Sequence, residues 1–284
     1  MQINDEINEQ LHVNQQRNDV FMLFKNFKLL QNHCKRFRQT SISINKDFQF
    51  RQIVTRTKTT NMPFLNRPDG AKIYFEKKGN GPTPVLLIAP GGMNSSIPKW
   101  QNMPFNPWTE LSQSKFTIIC MDQRNAAEKR SSGPLGLGWE TYAQDIFAVL
   151  DECKFEKVLA MGSCIGPSYI LKCIEMDPGR FLGAVLMQPI GLAHATVDTE
   201  KWEKSNDRYT KDWFNTWKEV MVKTSSENEI NELWKNMFED RNFVFSVTPE
   251  FVEECDIPLL VLMGHDYVSL RCIFHWIPYI NYDI

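Results

Sequence analysis

The stretch 159-LAMGSCIGPSYI-170 places Cys164 between two glycines, at the point where an apolar run gives way to a helical pattern. We predict a buried strand, a sharp turn centred on Cys164 and then a helix. A turn this tight brings residues 162 and 166 so close together that a Cβ atom on either would clash. Gly162 and Gly166 meet that requirement. The five residues 162–166 are called the elbow below.

The helix predicted beyond the elbow affects how the thiol of Cys164 would react. The free N–H groups and the dipole at a helix N-terminus favour negative charge, so they would stabilise a thiolate or an oxyanion. Ser163 is the rival nucleophile, but it precedes the apex and is expected to point elsewhere. Two interpretations stay open: Cys164 is a nucleophile, or it is a small residue in a tight turn.

Short apolar runs separated by helical patterns lie on both sides of the elbow. They show no polar alternation, which is typical of a parallel sheet covered on both faces. We therefore predict the α/β class, with a doubly wound, mostly parallel sheet. The predicted strands are AKIYFEK, PVLLIAP, FTIICMD, KVLAMG, LGAVLMQP and IPLLVLMG.

The chain divides by composition into two parts. Residues 1–61 are polar, contain no glycine and lack the strand rhythm, so we expect a poorly ordered extension. Residues 62–284 form the predicted domain. Between residues 192 and 250 the strand rhythm stops, and two amphipathic helices are predicted as an insert. Such an insert can act as a lid over the carboxyl ends of the strands, but most of its tryptophans are expected only to hold it to the core.

The N-terminal extension allows three translation starts. The stretch from Val20 to Lys46 is basic and has no acidic residue, as in a mitochondrial transit peptide, which favours a start at Met22. A start at Met1 makes it a solvated tail, and a start at Met62 leaves it out. The expected location is cytoplasmic, with import into mitochondria as the alternative.

Composition excludes several function classes. The chain has 284 residues, of which 42% are hydrophobic, and its 32 basic and 34 acidic residues interleave. We therefore expect no nucleic-acid surface, and no apolar run has the eighteen residues of a membrane span. The seven cysteines show no metal-ligand spacing, and no GxGxxG motif or P-loop is present, so no metal and no cofactor are expected. The expected partner is a small-molecule substrate.

Five segments resemble the α/β-hydrolase superfamily, over roughly residues 65 to 266. They are LLIAPGGM, MDQRNA, GWETYAQDIFAVLD, MGSCIGPSYILK and PLLVLMGHD. The resemblance implies that Cys164 attacks a carbonyl carbon, as in the dienelactone hydrolases, which also carry cysteine at this position. The backbone N–H of Ile165, with that of Gly92 or Met93, would hold the oxyanion, and Asp266 would orient a histidine.

The histidine of this pattern is not at its expected place. Only eighteen residues follow Asp266, too few for an eighth strand and a histidine loop, so we expect the last strand to be missing. His275 alone has the right order, while His265 adjoins the acid and His194 begins the insert. The sequence thus predicts a Cys-dependent hydrolase of esters, lactones or thioesters, weakened if no base is present. An acyltransferase and an inactive binding protein stay open as alternatives.

Four other residues near these motifs have structural interpretations. Asp122 and Arg124 of MDQRNA are expected to brace loops through hydrogen bonds and an ion pair. Trp139 and Tyr142 are expected to pack a helix on the sheet.

Overall fold

The strands of the predicted sheet are present in a computed structural model, which describes residues 64–103, 105–126, 130–190, 214–238 and 245–262. The strands are β1 (Phe64–Asn66), β2 (Lys72–Lys78), β3 (Thr83–Ile88), β4 (Phe116–Met121), β5 (Val158–Ser163), β6 (Phe181–Met187) and β7 (Leu259–Leu262). The α-helices are α1 (Pro107–Glu110), α2 (Trp139–Glu152), α3 (Gly166–Met176), α4 (214–221), α5 (Glu227–Phe238) and α6 (Pro249–Glu253).

The seven strands form one sheet in the order β1-β2-β4-β3-β5-β6-β7. Strands β3 to β7 run parallel, whereas β2 is antiparallel to both β1 and β4. The prediction of a doubly wound, mostly parallel α/β sheet is therefore confirmed. Sequence reasoning missed the short strand β1 and the reversed direction of β2. Strand β2 buries only Ile73 fully, as suits an antiparallel strand with one face towards solvent.

The parallel strands β3 to β6 form the centre of the core because almost every side chain on them is apolar and buried. Strand β5 is buried throughout, and β3, β4 and β6 are buried at all but one position each. Helices α2 and α3 pack on the sheet and against each other, and both have an apolar face. Burying one large apolar side chain contributes roughly 1.5–3 kcal/mol, so these strands supply much of the driving force for folding.

The described parts of the insert join the same core. The buried side chains of α4 and α5 are Trp217, Met221, Ile230, Leu233, Met237 and Phe238. Trp234 is half-buried and stacks on Phe214, with ring centroids 3.9 Å apart.

Some sequence predictions concern parts of the chain that the structure does not describe. The expected extension 1–61, the expected missing strand after β7 and the two candidate residues Asp266 and His275 all lie outside the described residues. The cytoplasmic and mitochondrial alternatives stay predictions. None of the helices within the described ranges is long and apolar enough to cross a membrane.

Candidate functional site

The strand order reverses between β3 and β5. Strand β3 lies between β4 and β5, so the chain leaves β3 towards β4 and leaves β5 towards β6, in opposite directions. Ligands bind at such switch points in open α/β sheets. Ile88, the last residue of β3, is paired with Gly162 at the start of the elbow. The loop after β3 and the elbow after β5 are therefore neighbours at this edge.

The elbow is an abrupt turn between β5 and α3. Cys164 has φ 59°, in the left-handed region that non-glycine residues rarely adopt. A Cβ atom on Gly162 would lie 2.6 Å from the carbonyl carbon of Gly166, and a Cβ on Gly166 would lie 2.5 Å from the carbonyl oxygen of Ile88. Both contacts are with backbone, which cannot rotate away. The close approach of chain to chain therefore requires both glycines.

The thiol of Cys164 faces two backbone donors. Its side chain is partly exposed, whereas the other described cysteines are buried. Burial raises the pKa of the Cys164 thiol, and hydrogen bonds from the backbone N–H groups of Ile165 and Gly91 lower it by less. The net result is a pKa above the ordinary value for a thiol, so Cys164 is protonated at neutral pH in these surroundings.

The loop donor is Gly91, which sequence reasoning did not single out for this role. Gly92 and Met93, the predicted donors, are buried in the 3₁₀ turn Gly92–Asn94 that follows. Gly91 has φ 122°, a conformation open to glycine, and its carbonyl accepts the N–H of Asn94 at 2.9 Å. The pair of adjacent glycines was the available signal, but the motif alone does not say which N–H faces the thiol.

Ser163 has a different environment from Cys164. It is the last residue of β5 and is fully buried. Its hydroxyl lies 4.0 Å from the sulfur of Met103. As a buried strand residue, Ser163 is a poor candidate for attack on an incoming substrate.

Asp122, at the end of β4, braces the loop that follows β3. Its fully buried carboxylate accepts the backbone N–H of Ile97 at 2.8 Å. Arg130 donates to both carboxylate oxygens, from Nε at 2.6 Å and from Nη2 at 2.7 Å. The predicted bracing role agrees with these contacts, but the partner is Arg130 and not Arg124.

Arg124 belongs to a separate charge cluster, in which Arg124 and Asp145 are buried, Arg67 is partly buried and Asp69 is exposed. Arg124 donates to both oxygens of Asp145, each at 2.8 Å, and also to Asp69. Arg67 donates to Asp145 at 3.0 Å. Burial lowers the pKa of Arg124, but the hydrogen bonds and charges of Asp145 and Asp69 outweigh it and raise that pKa, so the guanidinium stays charged. No pattern in the sequence singled out Asp145, which lies on α2.

Within the described parts of the insert, three hydrogen bonds join it to the rest of the domain. Trp217 Nε1 donates to the carbonyl of Asn125 at 3.3 Å, and Trp139 Nε1 donates to the carbonyl of Met237 at 2.9 Å. Asn236 donates to the carbonyl of Leu137 at 2.9 Å. Trp139 thus packs α2 against the insert as well as against α3, a contact that the sequence did not predict.

A base and an acid for Cys164 are not found among the described residues. All five histidines lie outside the described ranges, as does Asp266. Within those ranges, no three His, Cys, Asp or Glu side chains are grouped so that they could hold a metal ion. The part of the site that can be described therefore consists of a thiol, two backbone donors and the loops that hold them.

No protein-family model matches the chain, and no curated protein sequence matches it. Among solved structures, the chain is similar to Est816, described as an N-acyl homoserine lactone degrading enzyme, with 21% identity, 70% of this chain and 80% of that chain covered, and a TM-score of 0.45. It is similar to an α/β hydrolase from Sphaerobacter thermophilus, with 16% identity, coverage of 72% and 82%, and a TM-score of 0.47. It is also similar to a meta-cleavage product hydrolase from Pseudomonas fluorescens, with 16% identity, coverage of 69% and 77%, and a TM-score of 0.45.

Proposed function

We propose that the chain is a hydrolase that cleaves an ester, lactone or thioester with Cys164 as nucleophile. The observation that carries this proposal is the apex of the elbow, where a partly exposed thiol at φ 59° faces the N–H groups of Ile165 and Gly91. After attack, the substrate carbonyl carbon is bonded to the sulfur of Cys164, and its oxygen therefore lies close to the N–H groups that face the sulfur. The same two groups can therefore serve as an oxyanion hole.

The proposed reaction has two stages. The thiolate of Cys164 forms a bond to the substrate carbonyl carbon, and the π electrons move to the oxygen, where the N–H groups of Ile165 and Gly91 stabilise the charge. The tetrahedral intermediate collapses, and the alcohol or thiol leaves with a proton. Water then attacks the acyl thioester, releases the carboxylic acid and returns the proton to Cys164.

The first stage needs a base because the pKa of the Cys164 thiol is raised. We assign this role to His275, with Asp266 to orient it, as the order of these residues in the sequence suggests. Loss of one triad member still leaves about 10³–10⁴ of acceleration over water from the oxyanion hole and binding. The substrate we propose is a small apolar acyl or ring compound, because the sequence of the insert predicted over the carboxyl ends of the strands is rich in aromatic residues.

The raised pKa of Cys164 also favours a second candidate, an inactive binding protein with the same fold. In that case the elbow survives as a turn, and no base converts the thiol into a nucleophile. The two candidates differ in whether an acyl group is ever attached to Cys164.

The first test measures turnover and the acyl-enzyme on the full chain. A p-nitrophenyl ester, a γ-lactone and an acyl thioester are supplied to the wild type, to Cys164→Ala and to Ser163→Ala. We expect product release and a mass increase of one acyl group on the peptide that contains Cys164. Cys164→Ala abolishes both, and Ser163→Ala retains them. Equal turnover in Cys164→Ala excludes the mechanism.

The second test follows alkylation of Cys164 by iodoacetamide across a pH series, assigned by peptide mass. Since the raised pKa keeps the thiol protonated, we expect the rate in His275→Ala to keep rising above pH 8.5, roughly the value of a free thiol. In the wild type, His275 is expected to move the midpoint lower. If the wild type shows no turnover and its alkylation midpoint equals that of His275→Ala, the result supports the inactive binding protein.

A further inference from the structure

The buried carboxylate of Asp122 connects the end of β4 to the loop between β3 and α1. Its Oδ1 accepts the N–H of Ile97 at 2.8 Å and the Nη2 of Arg130 at 2.7 Å, and its Oδ2 accepts the Nε of Arg130 at 2.6 Å. The carboxylate is fully buried. A buried charge is tolerated when it is paired and its oxygens accept hydrogen bonds, and both conditions hold here.

The neighbouring backbone reinforces this connection. Gln123 donates its N–H to the carbonyl of Ser95 at 2.9 Å. The hydroxyl of Ser95 donates to the carbonyl of Ala89 at 2.6 Å, which draws the two ends of the loop together. Residues 89–97 are therefore closed on themselves and are fixed to the end of β4 at Ile97 and Ser95. Gly91 lies inside the segment that these contacts hold.

Arg130 is in turn held from the other side. Its guanidinium lies 4.2 Å from the ring centroid of Tyr74, and Nη1 lies 3.6 Å from Glu76. Tyr74 donates its hydroxyl to Glu76 at 2.8 Å. Strand β2 thus supports Arg130, Arg130 supports Asp122, and Asp122 supports the loop. This chain of contacts ends at the backbone donor that faces Cys164.

We propose that Asp122 is a positioning residue that holds loop 89–97 so that the N–H of Gly91 faces the sulfur of Cys164. It does not touch the reacting atoms. Its second role, alignment of Gly91 with the oxyanion, rests on the proposed hydrolase function. The first role does not, because it concerns only the thiol and its donor.

The test compares Asp122→Ala, Asp122→Asn and Asp145→Asn by the pH midpoint of Cys164 alkylation in the full chain. Asp122→Ala removes the acceptor for Ile97, releases Gly91 from the thiolate and raises the midpoint by about one pH unit. Asp122→Asn keeps an oxygen for Ile97 and recovers part of that shift. Asp145→Asn removes an equally buried carboxylate that does not contact the loop, so its midpoint stays at the wild-type value.

Near-UV circular dichroism reports whether each variant is folded. If Asp122→Ala does not fold, Arg130→Met takes its place, since it leaves the carboxylate and removes its bidentate partner. It is expected to raise the midpoint by less. The proposal is overturned if Asp122→Ala, or Arg130→Met in its place, is folded and keeps the wild-type midpoint of alkylation. It is also overturned if Asp145→Asn shifts the midpoint by the same amount.

Turnover separates this inference from the proposed function. If the wild type is a hydrolase, Asp122→Ala lowers kcat by about 10²-fold, as loss of one oxyanion donor does, with little change in KM. If the wild type shows no turnover, the hydrolase proposal fails, and the alkylation midpoints still decide the role of Asp122.

Discussion

The elbow and the charge cluster of Arg67, Asp69, Arg124 and Asp145 are held by opposite means. The elbow depends on missing side chains: Gly162 lets the chain approach Gly166, and Gly166 lets the start of α3 approach the backbone of Ile88 on β3. The cluster depends on ion pairs whose two members lie between 21 and 78 positions apart in the sequence. The elbow thus requires glycine at two positions of one short motif, whereas the cluster requires charges at positions that no local motif links.

The two regions should therefore fail in different ways. Adding volume at the elbow forces the backbone apart beside Cys164, so it changes both stability and thiol reactivity. Removing the charge of Asp145 takes one partner from the buried guanidinium of Arg124 and from the partly buried one of Arg67, so it changes stability while the elbow keeps its geometry. Substitutions in each region, followed by measurements of stability and of thiol reactivity, can separate these two effects.

The largest effect is expected from Asp145→Asn. Asp145 is fully buried and accepts hydrogen bonds from Arg124 and Arg67, so neutralising it removes the bidentate partner of the buried Arg124 guanidinium. We expect the free energy of unfolding to fall by about 3–5 kcal/mol, as measured by urea denaturation. The matched control is Asp151→Asn, whose 2.8 Å pair with Arg180 is largely exposed, with an expected change below about 1 kcal/mol. Equal losses in the two variants would contradict the role assigned to burial.

A smaller loss of stability, coupled to a change at the thiol, is expected from Gly166→Ala. The new Cβ would lie 2.5 Å from the carbonyl oxygen of Ile88, so β3 and α3 must separate. We expect a loss of about 1–3 kcal/mol and an altered rate of Cys164 alkylation at fixed pH. Gly138→Ala is the control, since its nearest atom is 3.8 Å away at the side chain of Asn236. An unchanged alkylation rate in Gly166→Ala would show that the elbow does not control the thiol.

The sequence predicted the features that depend on local pattern. Unbroken apolar runs predicted the parallel strands β3 to β7, and the helix expected at Trp139 and Tyr142 is present as α2, whose apolar period is regular. Strand β1 was missed since three residues carry no periodicity. The direction of β2 was missed because direction is set by pairing with β1 and β4, which a single strand does not encode.

At the candidate site, too, features set by a local pattern could be predicted and contacts between distant residues could not. The positions of Gly162, Cys164 and Gly166 could be predicted because the turn is built from five consecutive residues. The bracing of loops by Asp122 and Arg124 was expected, but the partners Arg130 and Asp145 were not, since ion pairs between distant residues leave no mark in a single sequence. The choice of Gly91 over Gly92 or Met93 depends on backbone dihedral angles that the motif does not specify.

The smallest effect is expected from Trp217→Phe, which tests whether the insert follows the long-range pattern of the cluster. Trp217 is buried and donates from Nε1 to the carbonyl of Asn125, in the loop that also carries Arg124. Phenylalanine keeps most of the aromatic contact and removes the hydrogen bond, so we expect a loss of about 0.5–1.5 kcal/mol in urea denaturation. Trp108→Phe, on a partly exposed helical turn, is the control and should change stability by less than about 0.5 kcal/mol.

If Trp217→Phe changes the free energy of unfolding as little as the control does, apolar packing alone attaches the insert, and hydrogen bonding to the loop after β4 contributes nothing measurable. A clear difference between the two variants shows instead that this loop, fixed to α2 through Arg124 and Asp145, also fixes the insert.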